Sequence, residues 1–205
     1  MNLLPKLKES GYNILGTYSN IKILLRFLLL LLVAVLMTLT ACDEQNPTES
    51  GNTNFKLTSS DIKPDSLLPM EYTCDGEGAT LPLEWSGFPE STKCFALIMH
   101  HEASPTDIHW YWVLYDIPLS IQSLPKNVTG IGTLGNNSVN GKTEYAPPCS
   151  QGPGPKKYIY TIYALSESVN ITVPNSEVSR EVLLDAIKNI TLASATLTVI
   201  YSRDI

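Results

Sequence analysis

The 205-residue chain predicts a mainly β domain, a β-sandwich with few short helices, carried behind an exported leader. Short apolar runs rich in β-branched and aromatic residues alternate with Pro- and Gly-rich turns, which is a strand pattern. A single convincing helical stripe appears, close to the C-terminus. Strand and helix patterns do not alternate, so a parallel α/β sheet is not indicated.

Residues 1–41 read as a lipoprotein signal peptide. Lys22 and Arg26 give a positive flank and Phe27 to Leu39 an apolar stretch, the layout of a secretion signal. It ends in Leu39-Thr40-Ala41-Cys42, which looks like a bacterial lipobox and makes Cys42 the site of acylation, as by palmitate. The alternative is an uncleaved membrane anchor with a chance cysteine; small residues placed directly before Cys42 favour the lipobox. The expected location is therefore the bacterial cell envelope, lipid-anchored through Cys42 and facing the periplasm or exterior. Residues 42–54, polar and rich in Asn, Thr and Ser, read as a lipidated flexible tether.

Residues 55–205 read as one domain. Four of the 14 Lys+Arg and one of the 20 Asp+Glu lie in the leader, leaving residues 42–205, tether included, with 10 basic and 19 acidic side chains and a net charge of −9. That balance excludes nucleic acid as a partner, since its binding needs clustered Lys and Arg.

Strands are expected at 94–99 (CFALIM), 111–117 (YWVLYDI), 158–165 (YIYTIYAL) and 195–201 (ATLTVIY). The helix follows Ser179, a candidate N-cap. Glu181 suits the positive first turn, and Val182, Leu183, Ala186, Ile187 and Ile190 make one apolar stripe. Between strands, Gly130 to Pro155 is long and dense in Gly, Asn and Pro. Connections of this length in a compact domain are functional or disordered, and the stiffness of Pro147-Pro148 favours an ordered rim. With Cys42 lipidated, Cys74, Cys94 and Cys149 allow one disulfide and a free thiol, in any of three pairings.

Every histidine lies in residues 99–112, MHHEASPTDIHWYW. Side chains alternate along a strand, so if Phe95, Leu97 and Met99 face the core, His101 continues their row and His100 faces away as a surface residue. On the next strand His109, Tyr111 and Val113 are expected on one face, with Trp110 and Trp112 packing on the other. His101 and His109 then converge, with Glu102 as a third group. Two histidines and a carboxylate can bind a metal, but no local ligand spacing is present, and neither metal nor cofactor is expected. Cys149 with His109 could be imagined as a nucleophile and base, yet no nucleophile elbow exists.

Several motifs in order resemble the phosphatidylethanolamine-binding protein (PEBP) family, which includes Raf kinase inhibitor protein, and its bacterial branch most. They are Tyr72-Thr73-Cys74-Asp75-Gly76, Leu81-Pro82-Leu83-Glu84-Trp85, Gly87-Phe88-Pro89, His109-Trp110 before VLYDIP, Tyr145-Ala146-Pro147-Pro148 before Gly154 to Tyr158, and Tyr201-Ser202-Arg203. The resemblance runs from about Leu57 to Arg203. It implies a PEBP-like β-sandwich with a small pocket for anionic groups such as phosphate head groups. Carried over, His109 matches the pocket histidine, Pro147 and Pro148 the loop, and Tyr158 the tyrosine. His101 falls where the family's leading aspartate stands, and Lys156 where its second histidine stands. Both departures make the pocket more cationic, with Glu102 keeping one negative charge nearby.

The resemblance thus implies a non-catalytic, anion-binding exported lipoprotein, with a small anionic ligand or phospholipid head group as partner and the membrane reached through Cys42. The expected ligand-binding residues are His101, Glu102, His109, Pro147, Pro148, Lys156 and Tyr158. The other readings are a protein-contact inhibitor or regulator of a protease or kinase, using the 130–155 stretch on a protein partner, and a metal-dependent enzyme using His101, Glu102 and His109.

Overall fold

The computed structural model describes residues 54–151 and 154–203. The expected leader, Cys42 and the tether up to Thr53 lie outside the described residues. Within them, β1 (Lys56–Thr58), β2 (Leu83–Ser86), β3 (Cys94–Ser104), β4 (Asp107–Pro118), β5 (Ser123–Leu124), β6 (Thr133–Leu134), β7 (Lys156–Leu165) and β8 (Thr191–Tyr201) form two sheets. One is three-stranded in the order β1-β2-β5, and the other five-stranded in the order β6-β4-β3-β7-β8. All named strand pairs are antiparallel.

Each of the four expected strands is the apolar part of a longer one. The β3–β4 ladder runs past its apolar stretch to pair Ser104 with Asp107, leaving only Pro105 and Thr106 for the turn. The continuous apolar run CFALIM reflects burial of the large sheet on both faces. Phe95, Leu97 and Met99 enter the main core with Leu83 and Trp85 of the small sheet and with Tyr160, Ile162 and Leu197. Cys94, Ala96 and Ile98 point the other way, into a second cluster with Val113, Tyr115, Leu183 and Ile187.

That second cluster is the seat of α1 (Arg180–Ile187), the helix expected from the sequence. The Ser179 hydroxyl accepts from the Val182 N–H at 3.2 Å, satisfying one of the open donors of the first turn. Leu183 and Ile187 are its buried residues. Ile190 lies beyond the helix end, packed against the same cluster.

One expectation about β4 is corrected. Met99 pairs with Trp112 and His100 with Trp110, so Tyr111 is an extra residue, a β-bulge. The bulge puts Tyr111 and Trp112 together in the main core and turns Val113 to the helix side. Strict alternation, which expected Tyr111 and Val113 on one face, breaks at this residue.

The long connection after β5 is ordered through its described part. Thr133 and Leu134 add β6 to the edge of β4. Gly135 presses so close that a Cβ there would sit 2.4 Å from the Val178 carbonyl oxygen. Asn137 is buried; its amide donates to the carbonyls of Lys142 and Glu144, and its Oδ1 accepts from Val139 and Asn140. Of the three possible cysteine pairings the structure has Cys74–Cys149, and Cys94 is the buried free thiol.

Candidate functional site

Adjacent strand ends bring the two expected histidines together. His101 and His109 are directly paired across β3 and β4. Lys156 opens β7, and with Ala103, Tyr111, Ser138, Val139, Cys149, Ser150 and Gln151 these residues line a cleft of about 410 Å³. The pleat explains the selection, since His101 continues the Phe95, Leu97, Met99 row as the sequence implies.

The hydrogen bonds fix how each group can act. His101 Nδ1 lies 2.9 Å from the Lys157 carbonyl oxygen. A carbonyl only accepts, so Nδ1 carries the proton and Nε2 is left for a ligand. His109 Nε2 stands 3.2 Å from Asp107 Oδ1, with both side chains well exposed. Lys156 Nζ donates to the Gln151 carbonyl, which holds the ammonium against the opposite wall. Ser138 is fully engaged, donating to the Trp110 carbonyl and accepting from the Trp110 N–H.

Tyr158 does not line the cleft but packs behind His101 and Tyr111, which do. It is 0 % exposed, and its ring lies 5.5 Å from that of His101 and 5.2 Å from that of Tyr111. Burial pushes the Tyr158 phenol far above its usual range, with the neighbouring Tyr111 phenol the next cause. The phenol stays neutral as a result, and its hydroxyl makes no hydrogen bond of normal geometry.

Three expected site residues stand elsewhere. Glu102 leans to the opposite face, where its Oε1 meets His100 Nε2 at 3.2 Å. Pro147 packs over Gly78, and the buried Pro148 offers its carbonyl to the Cys74 N–H. Neither proline lines the cleft; the next three residues do. The proline pair stands directly before the residues of this loop that line the cleft.

His100 is likewise not a surface residue. It is 7 % exposed, on the sheet face where Glu102 meets it and where the Arg180 charge at the start of α1 is felt. Burial first, then the Arg180 charge, lower its pKa from the usual histidine value.

Ser150 was not expected from the sequence. It is 1 % exposed, it lines the cleft, and its hydroxyl has no partner. A buried polar group without a partner costs stability, so this hydroxyl suits a ligand acceptor. Its position two residues after the proline pair is the one signal that could have found it. Cys149 is bridged to Cys74, so it offers no free thiol to His109 in this state. Among the described residues no three His, Cys, Asp or Glu converge as a metal-ligand set.

The phosphatidylethanolamine-binding protein family model matches residues 58–202. A UPF0098 protein of Methanothermobacter thermautotrophicus is 33% identical over 141 residues, covering 66% of this chain and 91% of the relative. A UPF0098 protein of Aquifex aeolicus is 33% identical over 162 residues, covering 76% and 92%. A crystal structure described as a putative phosphatidylethanolamine-binding protein homolog from Chlamydia trachomatis superposes with a TM-score of 0.67 at 25% identity, covering 74% of this chain and 99% of that one.

Proposed function

The chain belongs to the phosphatidylethanolamine-binding protein family, and from that premise we propose that it is a non-catalytic binding protein whose cleft takes a small phosphate- or carboxylate-bearing group. The observation that carries this reading is the meeting of Lys156, His101 and His109 around one cleft with a buried, unpartnered Ser150 hydroxyl. The Lys156 ammonium can make a short charge-assisted hydrogen bond to an oxyanion, and the Ser150 hydroxyl can donate a second. The family's name makes a phospholipid head group the first ligand class to test. Tyr111 in the lining and Tyr158 packed behind it are neutral phenols rather than bases, since burial raises both.

Nucleophilic catalysis finds little support. Cys149 is held in a disulfide, and the Ser150 hydroxyl has no base hydrogen-bonded to it, whereas an activated nucleophile needs one. Glu102 turns to the opposite face of the large sheet from His101 and His109 and meets His100 there, so the trio does not share the geometry a metal-dependent reading would use. A protein-contact role keeps one specific observation: Val139, 52 % exposed, stands at the cleft within the long connection.

Calorimetric titration with O-phosphoethanolamine and with inorganic phosphate tests the cleft. Saturable binding is expected, weakened about tenfold or more by Lys156→Met, the effect of losing a charge-assisted hydrogen bond. Absence of heat with either compound, or binding indifferent to both Lys156→Met and His109→Ala, removes the reading.

The proposed setting is the bacterial cell envelope, with the domain tethered through acylated Cys42 and facing the periplasm or exterior. Metabolic labelling with a palmitate analogue is expected to mark the wild-type chain and to fail on Cys42→Ala. Equal labelling of the two would relocate the anchor.

A further inference from the structure

One wall of the cleft, Cys149 to Gln151, belongs to no strand. Its anchors are few. Cys149 is bridged to Cys74, the Cys74 N–H donates to the Pro148 carbonyl at 2.9 Å, and Arg203 Nη1 reaches the Ser150 carbonyl at 3.5 Å. The Lys156 ammonium bonds to the Gln151 carbonyl, so the cleft's cation is itself positioned by this wall. The two ends of the bridge differ in support. Cys74 sits in a turn that Thr73 secures independently: its N–H and hydroxyl both donate to the Met70 carbonyl, and its own carbonyl accepts from Gly76 and Gly78. When the bridge opens, the Cys149 side is therefore the one free to move.

We propose that the Cys74–Cys149 disulfide is a redox latch on the anion cleft. Closed, it holds the Ser150 hydroxyl and the Gln151 carbonyl in the wall and sets Lys156 for the ligand. Opened, it releases the wall and the affinity falls. This proposal rests on the anion-binding reading of the same cleft. The reductant is an external dithiol. Its first thiolate attacks Cys74 Sγ, and Cys149 departs as a thiolate beside the Arg203 guanidinium, whose Nη1 lies 3.7 Å from Cys149 Sγ; a cation there favours the thiolate form. The second thiolate of the reagent then closes on the first sulfur and releases Cys74. In sum the dithiol gives up two electrons and two protons to become a cyclic disulfide, and the two cysteines gain them as thiols. Cys94 stays out of the exchange, buried in the cluster on the opposite face of the sheet with its Sγ 3.2 Å from the Glu167 carbonyl oxygen.

Inorganic phosphate is titrated into the full chain, oxidised and after dithiothreitol, with alkylation mapped to Cys74 and Cys149 and the fold followed by far-ultraviolet circular dichroism. Reduction is expected to weaken phosphate about tenfold or more with the strand signal retained, and reoxidation to restore it. The Cys74→Ser, Cys149→Ser double variant should match the reduced protein, and Ser150→Ala in the oxidised chain should lose part of the same affinity. Reduced protein that binds within about twofold of the oxidised form overturns the latch and leaves the anion site standing. Reduced protein that unfolds also overturns it, because the bridge is then a staple of the whole fold. Oxidised protein that does not bind phosphate brings down the anion site and the latch together.

Discussion

His100 and His101 are neighbours in sequence with opposite surroundings. His101 looks into a cleft beside a lysine, a serine and a second histidine. His100 is buried on the other face, bonded to Glu102 and within reach of the Arg180 charge. The period-two pleat of β3 separates them. The same strand thus turns its odd-numbered side to the main core and, at its far end, to the cleft, and its even-numbered side to the cluster that seats α1. Changes on the helix face should alter stability and leave binding alone; changes on the cleft face should do the reverse.

The largest test of that separation is Leu183→Ala. Leu183 is fully buried between α1 and the large sheet, and removing a buried leucine costs about 2–5 kcal/mol. Urea unfolding should show a loss in that range, while phosphate affinity of the folded variant stays at the wild-type value. An equal fall in affinity would mean that the two faces are coupled through β3 and the comparison fails.

Much of this separation could be read before any coordinates. The row Phe95, Leu97, Met99, His101 follows from alternation alone, and the Ser179 cap follows from residue chemistry and the stripe behind it. The bulge at Tyr111 was not legible, because it changes the face of Val113 without leaving a Gly or Pro to mark it. The burial of His100 was equally hidden. Its environment depends in part on Arg180, a residue far along the chain whose charge acts on it. Cysteine spacing left three pairings open, and only the meeting of the Cys74 turn with the proline loop chooses among them. Glu102 is a different case: as the neighbour of His101 on the strand it is sent to the other face by the same alternation, so its placement was legible and the expected shared pocket went against the rule.

A finer test acts on His100 through pH. Burial and Arg180 hold its folded pKa below the usual 6.5, with Glu102 opposing in part. The folded state therefore binds that proton less readily than the unfolded chain does. Stability from this group is fully present above the unfolded value and is lost as pH falls through it toward the folded value. Protonation places a second positive charge near Arg180, and the ring still has a buried Nδ1 without a partner, so the charged form gains little in return. In His100→Gln the titrating group is gone. Urea midpoints measured at about pH 8 and about pH 5 should differ less for the variant than for the wild type, with the change in the direction of relative acid resistance. A wild-type chain whose midpoint does not fall across that interval, or a variant that falls just as steeply, would show that acid sensitivity resides elsewhere and that the two histidines are less different than their surroundings indicate.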